Sequence, residues 1–355
     1  MAGAPAAAAR ERGGVLRPPP HHHILHDPRR DPVTVAQTCA GGRAGVCSIQ
    51  GLKPGNPRWE NQDNFVMEEA LDIDGGGDRL RVFAVLDGHG EAGHLVTRRC
   101  RERLPQLLRA ARGDAARACV ALHEDLASGV HVDCQCSGAT CVVVTISARG
   151  AVTVANLGDS RCVLGRWECG GGGGRSGGGG GGMVGRAQRQ VCAVPLTTDH
   201  KPDRPDERAR IQAAGGQVGS RQLIVGSGPA GPIRIPMGPA RVWYQVRGET
   251  MGLAMSRSIG DVIAHAAGVS AQPEVVEHCL DRDAGDAFLV LASDGVWDVL
   301  DAQAAVHIVA ACAAAAGGAE WDPREAAALL AAAARKRWDG LSPMIDDITA
   351  LVVKL

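Results

Sequence analysis

Six aspartates, Asp63, Asp87, Asp159, Asp261, Asp294 and Asp346, lie in polar turns of this chain, and several of those turns abut strongly apolar stretches. Carboxylates gathered in space repel one another, so a converging set has to be held by positive charge. With oxygen donors only, and no His or Cys at a matching ligand spacing, the ion that suits them is a hard divalent cation such as Mg²⁺ or Mn²⁺. Any one of the six reads as well as a turn residue or a helix cap. The set is harder to explain that way. The densest stretch is Asp87-Gly88-His89-Gly90, where two glycines allow a sharp turn and close approach, and Gly88 offers an unobstructed carbonyl. A second polar cluster, Arg58-Trp59-Glu60-Asn61-Gln62-Asp63, precedes it.

These groups need rigid elements behind them. Val82 to Leu86 reads as a buried strand that delivers Asp87. Cys141 to Ile146 and Ala151 to Asn156 make a hairpin, and its second strand runs into Asn156-Leu157-Gly158-Asp159-Ser160-Arg161, with a third strand from Cys162 to Gly165. Ala287 to Ala292 delivers Ser293-Asp294, and Asp346-Asp347 precede a terminal strand, Ile348 to Val353. Helical patterns fall at 91–111, where Pro105 is expected to kink or split the helix, and at 115–127 and 205–214. Two more, at 301–316 and 323–338, have Asp301 and Asp322 at their N-caps. Strands and helices are segregated rather than alternating, which points to an α+β fold with antiparallel sheets.

With 355 residues and 45% hydrophobic side chains, the chain can fill a large core. Residues 1–36, rich in Ala, Arg, Pro and His, are expected to be a disordered tail, and 37–355 the folded domain. Its His21-His22-His23 run reads as solvated low-complexity sequence, and an organellar transit peptide is disfavoured by Glu11 and the lack of Ser. The Gly-rich run 170–182 reads as a flexible insertion. No Gly-Lys-Ser/Thr follows it, which excludes a P-loop. Gly226-Ser227-Gly228-Pro229-Ala230-Gly231 spells a dinucleotide-binding pattern, but the prolines near it and the lack of a following helix argue against that use. The 12 cysteines show no disulfide framework, and Cys134, Cys136 and Cys141 lack the common zinc spacings. A net charge of -1 gives no footprint for nucleic acid, and no segment reads as membrane-spanning. The expectation is a soluble intracellular protein, cytoplasmic or nuclear, and a monomer.

Taken in order, Arg58…Asn61-Gln62-Asp63, Asp87-Gly88-His89-Gly90, Ser137-Gly138-Ala139-Thr140, Asn156 to Arg161, Thr198-Asp199-His200-Lys201-Pro202, Gly252 to Asp261, Ala292 to Asp298 and Asp346-Asp347-Ile348-Thr349 resemble the motifs of metal-dependent protein phosphatases of the PPM type, the type 2C protein serine/threonine phosphatases. The resemblance covers the chain from about Val46 to its last residue. It implies a four-layer α-β-β-α sandwich, two antiparallel sheets flanked by helices, with a two-metal centre at one edge. It also implies that Asp87 bridges two Mg²⁺ or Mn²⁺ ions, that the Gly88 carbonyl, Asp294 and Asp346 complete the first shell, and that Asp63 acts close by through water. Asp159, with Asp261 as a further candidate, would serve a third, weaker ion. Phosphoserine and phosphothreonine monoesters of protein substrates would be hydrolysed by a metal-bridging water. Arg58 would hold the phosphate bidentately and His89 would protonate the leaving alkoxide.

Three departures stand out. Gln62 is found where many members carry Glu, Ala139 replaces a common Ser, and the segment 219–249 falls where members differ most, so substrate preference does not transfer. Two other functions compete. One is a phosphatase-like binding protein that has lost its metals, which the intact carboxylate set disfavours. The other is a metal-dependent hydrolase of nucleic acid or nucleotides, which the near-neutral charge disfavours.

Overall fold

The computed structural model describes residues 23–24, 34–39, 41–73, 75, 77, 79–168, 190–228, 231–316 and 321–355. Two antiparallel sheets lie face to face. The first runs, edge to edge, His23–Ile24, Thr34–Thr38, Ala44–Ile49, Ile348–Lys354, Asp286–Ala292, Arg161–Glu168 and Gln190–Pro195. The second runs Glu274–Cys279, Ala151–Leu157, Cys141–Ser147, Arg79–Leu86 and Asn64–Asp72.

Alternation along each strand sorts the side chains into three apolar layers. In Arg79–Leu86, Phe83 and Val85 enter the layer between the sheets with Val144, Val154, Leu291 and Leu351. Val82, Ala84 and Leu86 face the other way, against Val96, Leu104 and Leu122 of the helices Gly93–Ala110 and Ala115–Ala127. On the first sheet, Cys47, Val290 and Val352 pack against Val306, Val309 and Leu330 of the helices Ala302–Ala315 and Pro323–Leu341. The order is helix, sheet, sheet, helix. Asp114, Asp301 and Asp322 cap three of these helices, each accepting from a backbone N–H at 3.0, 2.7 and 2.8 Å.

Two expectations change. Gly93–Ala110 passes through Pro105 without a break, and the Arg101 carbonyl that loses its donor belongs to an exposed residue that water can serve. The tail does not reach residue 36, because Thr34–Thr38 pairs with Ala44–Ile49 and completes the first sheet's hydrogen bonding there. The rest of the tail, apart from the short strand His23–Ile24, and the Gly-rich run 170–182 lie outside the described residues.

The segment 217–253, which carried no expected elements, is a three-stranded antiparallel ribbon, Gln217–Gly228, Gly231–Val246 and Glu249–Leu253. It packs through Val242 and Leu253 on Ile211 of the helix Pro205–Ala213. The dinucleotide-like pattern therefore falls at a hairpin end, where Gly228 pairs with Gly231.

Below this ribbon, Glu207 is buried and accepts hydrogen bonds from Arg210 (2.7 Å), Arg257 (2.8 Å) and Ser256. Burial alone would raise its pKa, but the arginines and the serine overcome that and hold it well below the usual range. A depressed carboxylate pKa contributes stability that is present above the unfolded value and is lost as pH falls below it. Glu207→Gln should therefore destabilise the fold by about 3 kcal/mol at pH 7, as expected for breaking a buried pair. Urea melts should show that difference shrinking below about pH 4, the ordinary range for a glutamate.

Candidate metal centre

Antiparallel pairing places strand ends beside strand starts, and this brings the expected residues together. Asn64 pairs with Leu86, so Asp63, just before one strand, lies beside Asp87, just after the other. Ala292 pairs with Ala350, so Ser293-Asp294 meets Asp346-Asp347 in the same way. Asp159 follows Ala151–Leu157 at this end of the second sheet. One end of the sandwich thus collects carboxylates from both sheets.

Their electrostatics are those of a crowded acidic site. The pKa of Asp87 is pushed well up, first by burial and then by the charges of Asp294, Asp63, Asp346 and Asp159. Asp294, in hydrogen-bonding contact with Asp87, is raised by burial and by Asp159, Asp346 and Asp298. Asp63 is raised to about 8 by burial and by Asp347, although Ser293 Oγ donates to its Oδ2 at 2.7 Å. Buried carboxylate oxygens without any hydrogen-bond partner remain on Asp63, Asp159 and Asp261, the Oδ1 atom in each case. Partnerless oxygens cost free energy in a low-dielectric site unless a cation takes them up. An all-oxygen donor set fits a hard divalent ion.

Among the described residues a tighter acidic group lies elsewhere: Asp206, Glu207 and Glu274 each bring a carboxylate oxygen within 4.8 Å of the others. Arg204, Arg210 and Arg257 already neutralise that trio, so it is an ion-pair network rather than a vacant ligand set. The sandwich-end carboxylates are more widely spread, which suits ions that keep part of their water shell, as Mg²⁺ does.

His89 reaches Asp261 through a small three-stranded ribbon. His89 pairs with Gly138, and Gly138 pairs with Gly260. Asp261 follows directly, with φ of 48°, and its Oδ2 lies 2.6 Å from His89 Nε2 and accepts from Ser258 Oγ at 2.6 Å. A Cβ on Gly138 would stand 2.1 Å from that Oδ2, which accounts for glycine there. Burial lowers the His89 pKa, but the charge and hydrogen bond of Asp261, with the charge of Asp159, outweigh it and the net shift is upward. Asp261 is thus engaged with His89 rather than with the other carboxylates, and Asp159 is salt-bridged to Lys201.

Arg58 is not brought into the cluster. It is exposed, and among the described residues its guanidinium makes no ion pair; only its backbone N–H is bonded, to Asn56 Oδ1 at 3.1 Å. Besides Lys201 on Asp159, a second basic group beside the carboxylates is Lys53, whose Nζ lies 2.7 Å from Asp346 Oδ1 and 5.1 Å from the centre of the Trp59 ring. Sequence spacing does not reveal this, because Lys53 and Asp346 belong to distant strand ends. Asp298, the residue that ends the one-turn helix Asp294–Trp297, also joins the cluster, where its charge raises the pKa of Asp294; its i, i+4 spacing from Asp294 is the signal in the sequence.

Gln62 has a structural reason to be an amide: its Nε2 donates to the Gly90 carbonyl at 2.8 Å, which a glutamate could not do. Cys134 is a buried thiol donating to the Leu126 carbonyl, and no thiol group among the described residues gathers as a metal site. Asp347 anchors the loop leading to Asp63. It accepts from the N–H groups of Gly51 (2.6 Å) and Gln62 (2.9 Å) and from Trp59 Nε1 (3.0 Å). Asp347→Ala leaves these donors unpaired, and a loss of about 2–4 kcal/mol is expected in urea denaturation. Activity per folded molecule should also drop, since Asp63 loses its support.

The protein phosphatase 2C family model matches residues 53–338. Among similar proteins, probable protein phosphatase 2C 64 of Oryza sativa subsp. japonica is 37% identical over 264 residues, covering 71% of this chain and 53% of that one. The chain therefore spans about half of the rice protein. Probable protein phosphatase 2C 72 of Arabidopsis thaliana is 32% identical over 281 residues, 74% of this chain and 72% of that one. A serine-threonine phosphatase 2C structure from Toxoplasma gondii shares the fold, with a TM-score of 0.63 at 22% identity, covering 95% of this chain and 99% of that chain.

Proposed function

Because the chain belongs to the protein phosphatase 2C family of metal-dependent protein serine/threonine phosphatases, we propose that it cleaves phosphoserine and phosphothreonine monoesters at the carboxylate-lined end of its sandwich. The observation that carries this is the gathering of Asp63, Asp87 and Asp294, all with raised pKa values, beside buried oxygens of Asp63 and Asp159 that have no hydrogen-bond partner. Asp87 would be shared by two divalent ions, with Gly88, Asp294 and Asp346 as further donors, Asp63 close by through water, and Asp159 at a weaker third position. Mg²⁺ or Mn²⁺ held there would supply positive charge to the phosphoryl group and bring the pKa of a bound water towards about 7.

The chain's own residues do the rest. Lys53 supplies an ammonium at the mouth of the site to meet phosphate oxygens, and Arg58, unpaired on the same loop, is free to swing onto them. His89, held by Asp261 through Nε2, has a buried Nδ1 with no partner, and a proton on that atom can pass to the departing serine or threonine oxygen. The charge and hydrogen bond of Asp261 outweigh burial and raise the pKa of His89, which favours the protonated form of the donor.

Purified protein should release phosphate from a phosphothreonine peptide with Mn²⁺ or Mg²⁺ and stop in EDTA, and calorimetric titration of the metal should count the ions. Turnover unchanged in EDTA would overturn the metal centre. A folded protein inactive at every metal concentration would favour a non-catalytic binding role.

A further inference from the structure

The end of the sandwich remote from the carboxylates has the opposite character. Arg79 and Arg81 begin the strand whose far end delivers Asp87, and Arg43, Arg149 and Arg282 come from three separate turns around them. All five line one cavity of about 630 Å³ at the open end between the sheets. Arg81 shares the parity of Phe83 and Val85, so it extends the inter-sheet apolar layer with a guanidinium, and it is half-buried. Its one hydrogen bond among the described residues is a long one, 3.4 Å to the Lys354 carbonyl on the opposite sheet.

The cavity also holds Glu69, Asp281 and Asp283, yet none of the five arginines makes an ion pair among the described residues. Glu69 instead accepts from Cys39 Sγ at 2.8 Å, and Asp281 from the Ala284 N–H at 2.8 Å. Burial, together with the like charges of Arg43 and Arg282, works against the Arg81 cation, and the Glu69 charge does not fully offset them. A half-buried cation among like charges is costly unless an anion joins it. Guanidinium forks from several directions suit the paired oxygens of phosphate groups.

We propose that this cavity binds a small soluble anion carrying several phosphate groups, through Arg81 at its floor and Arg43, Arg79, Arg149 and Arg282 around it. A cleft of about 630 Å³ set between the ends of two sheets has the size of a small molecule and is too narrow for a membrane surface or a folded partner. The site lies a full strand length from the carboxylates and is independent of the phosphatase reading.

The test uses tripolyphosphate as the probe, in EDTA so that no metal-mediated binding contributes, with melting temperature and calorimetric titration as readouts. Wild type should show saturable binding and a rise in melting temperature. Arg149→Gln with Arg282→Gln, both on exposed turns, should weaken binding about tenfold or more, the scale of one or two charge-assisted hydrogen bonds. Arg81→Gln should weaken it further, and the turn pair carries the test if that variant folds poorly. Asp87→Asn should bind as wild type does. Absence of saturable binding, equal stabilisation by sulfate at matched ionic strength, or undiminished binding by the turn variant would overturn the proposal. Loss of binding in Asp87→Asn would do so too, since it would place the anion at the other end.

Discussion

Asp87→Asn is expected to lower phosphopeptide turnover by about 10³-fold or more, about 4 kcal/mol of barrier, while making the metal-free protein more stable. Both effects come from the same carboxylate. Its pKa is raised by burial and by four neighbouring aspartates, so its negative charge opposes the metal-free fold and favours a bound cation. Removing the charge relieves the repulsion and weakens the ligand set. The sign in pH follows from the same shift. A carboxyl group whose folded pKa is raised stabilises fully below its unfolded value, near 4, and loses that contribution as pH rises through its folded value. For Asp63 that folded value is about 8. Wild type in EDTA should therefore melt at progressively lower temperature between about pH 4 and 8, the window set by these two values. Mn²⁺ should restore the loss, most strongly at the alkaline end. The Asn variant should show a shallower fall and a smaller rise with Mn²⁺. If melting in EDTA is flat across that range in wild type, the carboxylates are not electrostatically crowded and the account fails.

His89→Ala should separate two substrates. A serine or threonine alkoxide needs a proton as it leaves, whereas a nitrophenolate does not, so turnover on the phosphopeptide should fall by about 10² to 10⁴ while the aryl phosphate changes little. Asp261→Asn should act through the histidine. The Asp261 charge and hydrogen bond are what carry the His89 pKa upward against burial, so without that charge the alkaline limb of phosphopeptide turnover should move to lower pH. The aryl phosphate profile should stay where it was. A variant that loses both substrates equally, with no displacement of the limb, would mean that Asp261 only maintains the fold. Equal losses on both substrates in His89→Ala would remove the histidine from proton donation.

The parts of this fold that were legible in the sequence are those governed by local pattern. The hairpin Cys141–Ser147 with Ala151–Leu157 shows apolar runs around a Ser-Ala-Arg-Gly turn, and Pro205–Ala213 has acidic residues in its first turn and glycines beyond its end. Asp63, Asp87, Asp294 and Asp346 were legible as candidates because each flanks a strand, and antiparallel pairing does the rest. Lys53 and Arg58 were not distinguishable, since both lie on one Pro- and Gly-containing loop whose path depends on Asp347, nearly three hundred positions away. The ribbon 217–253 was also illegible, because its Gly- and Pro-rich strands look like loop until pairing is seen. Asp261 read as one more acidic turn. Only the register of three short strands reveals that it belongs to His89.

The strand Ile348–Lys354 occupies an interior position of the first sheet, between Ala44–Ile49 and Asp286–Ala292, and Ser48 meets Thr349 across 301 positions of sequence. During synthesis, Ala44–Ile49 therefore waits for a neighbour that emerges about three hundred residues later. Asp346 and Asp347 arrive with that neighbour. A nascent chain can fold its second sheet and the helices Gly93–Ala110 and Ala115–Ala127 early, but it leaves the first sheet open to wrong pairings until Ile348–Lys354 has emerged. The cluster of carboxylates is thus incomplete until Ile348–Lys354 has been threaded into place, and a product cut short before residue 346 would have neither a complete first sheet nor the full carboxylate set.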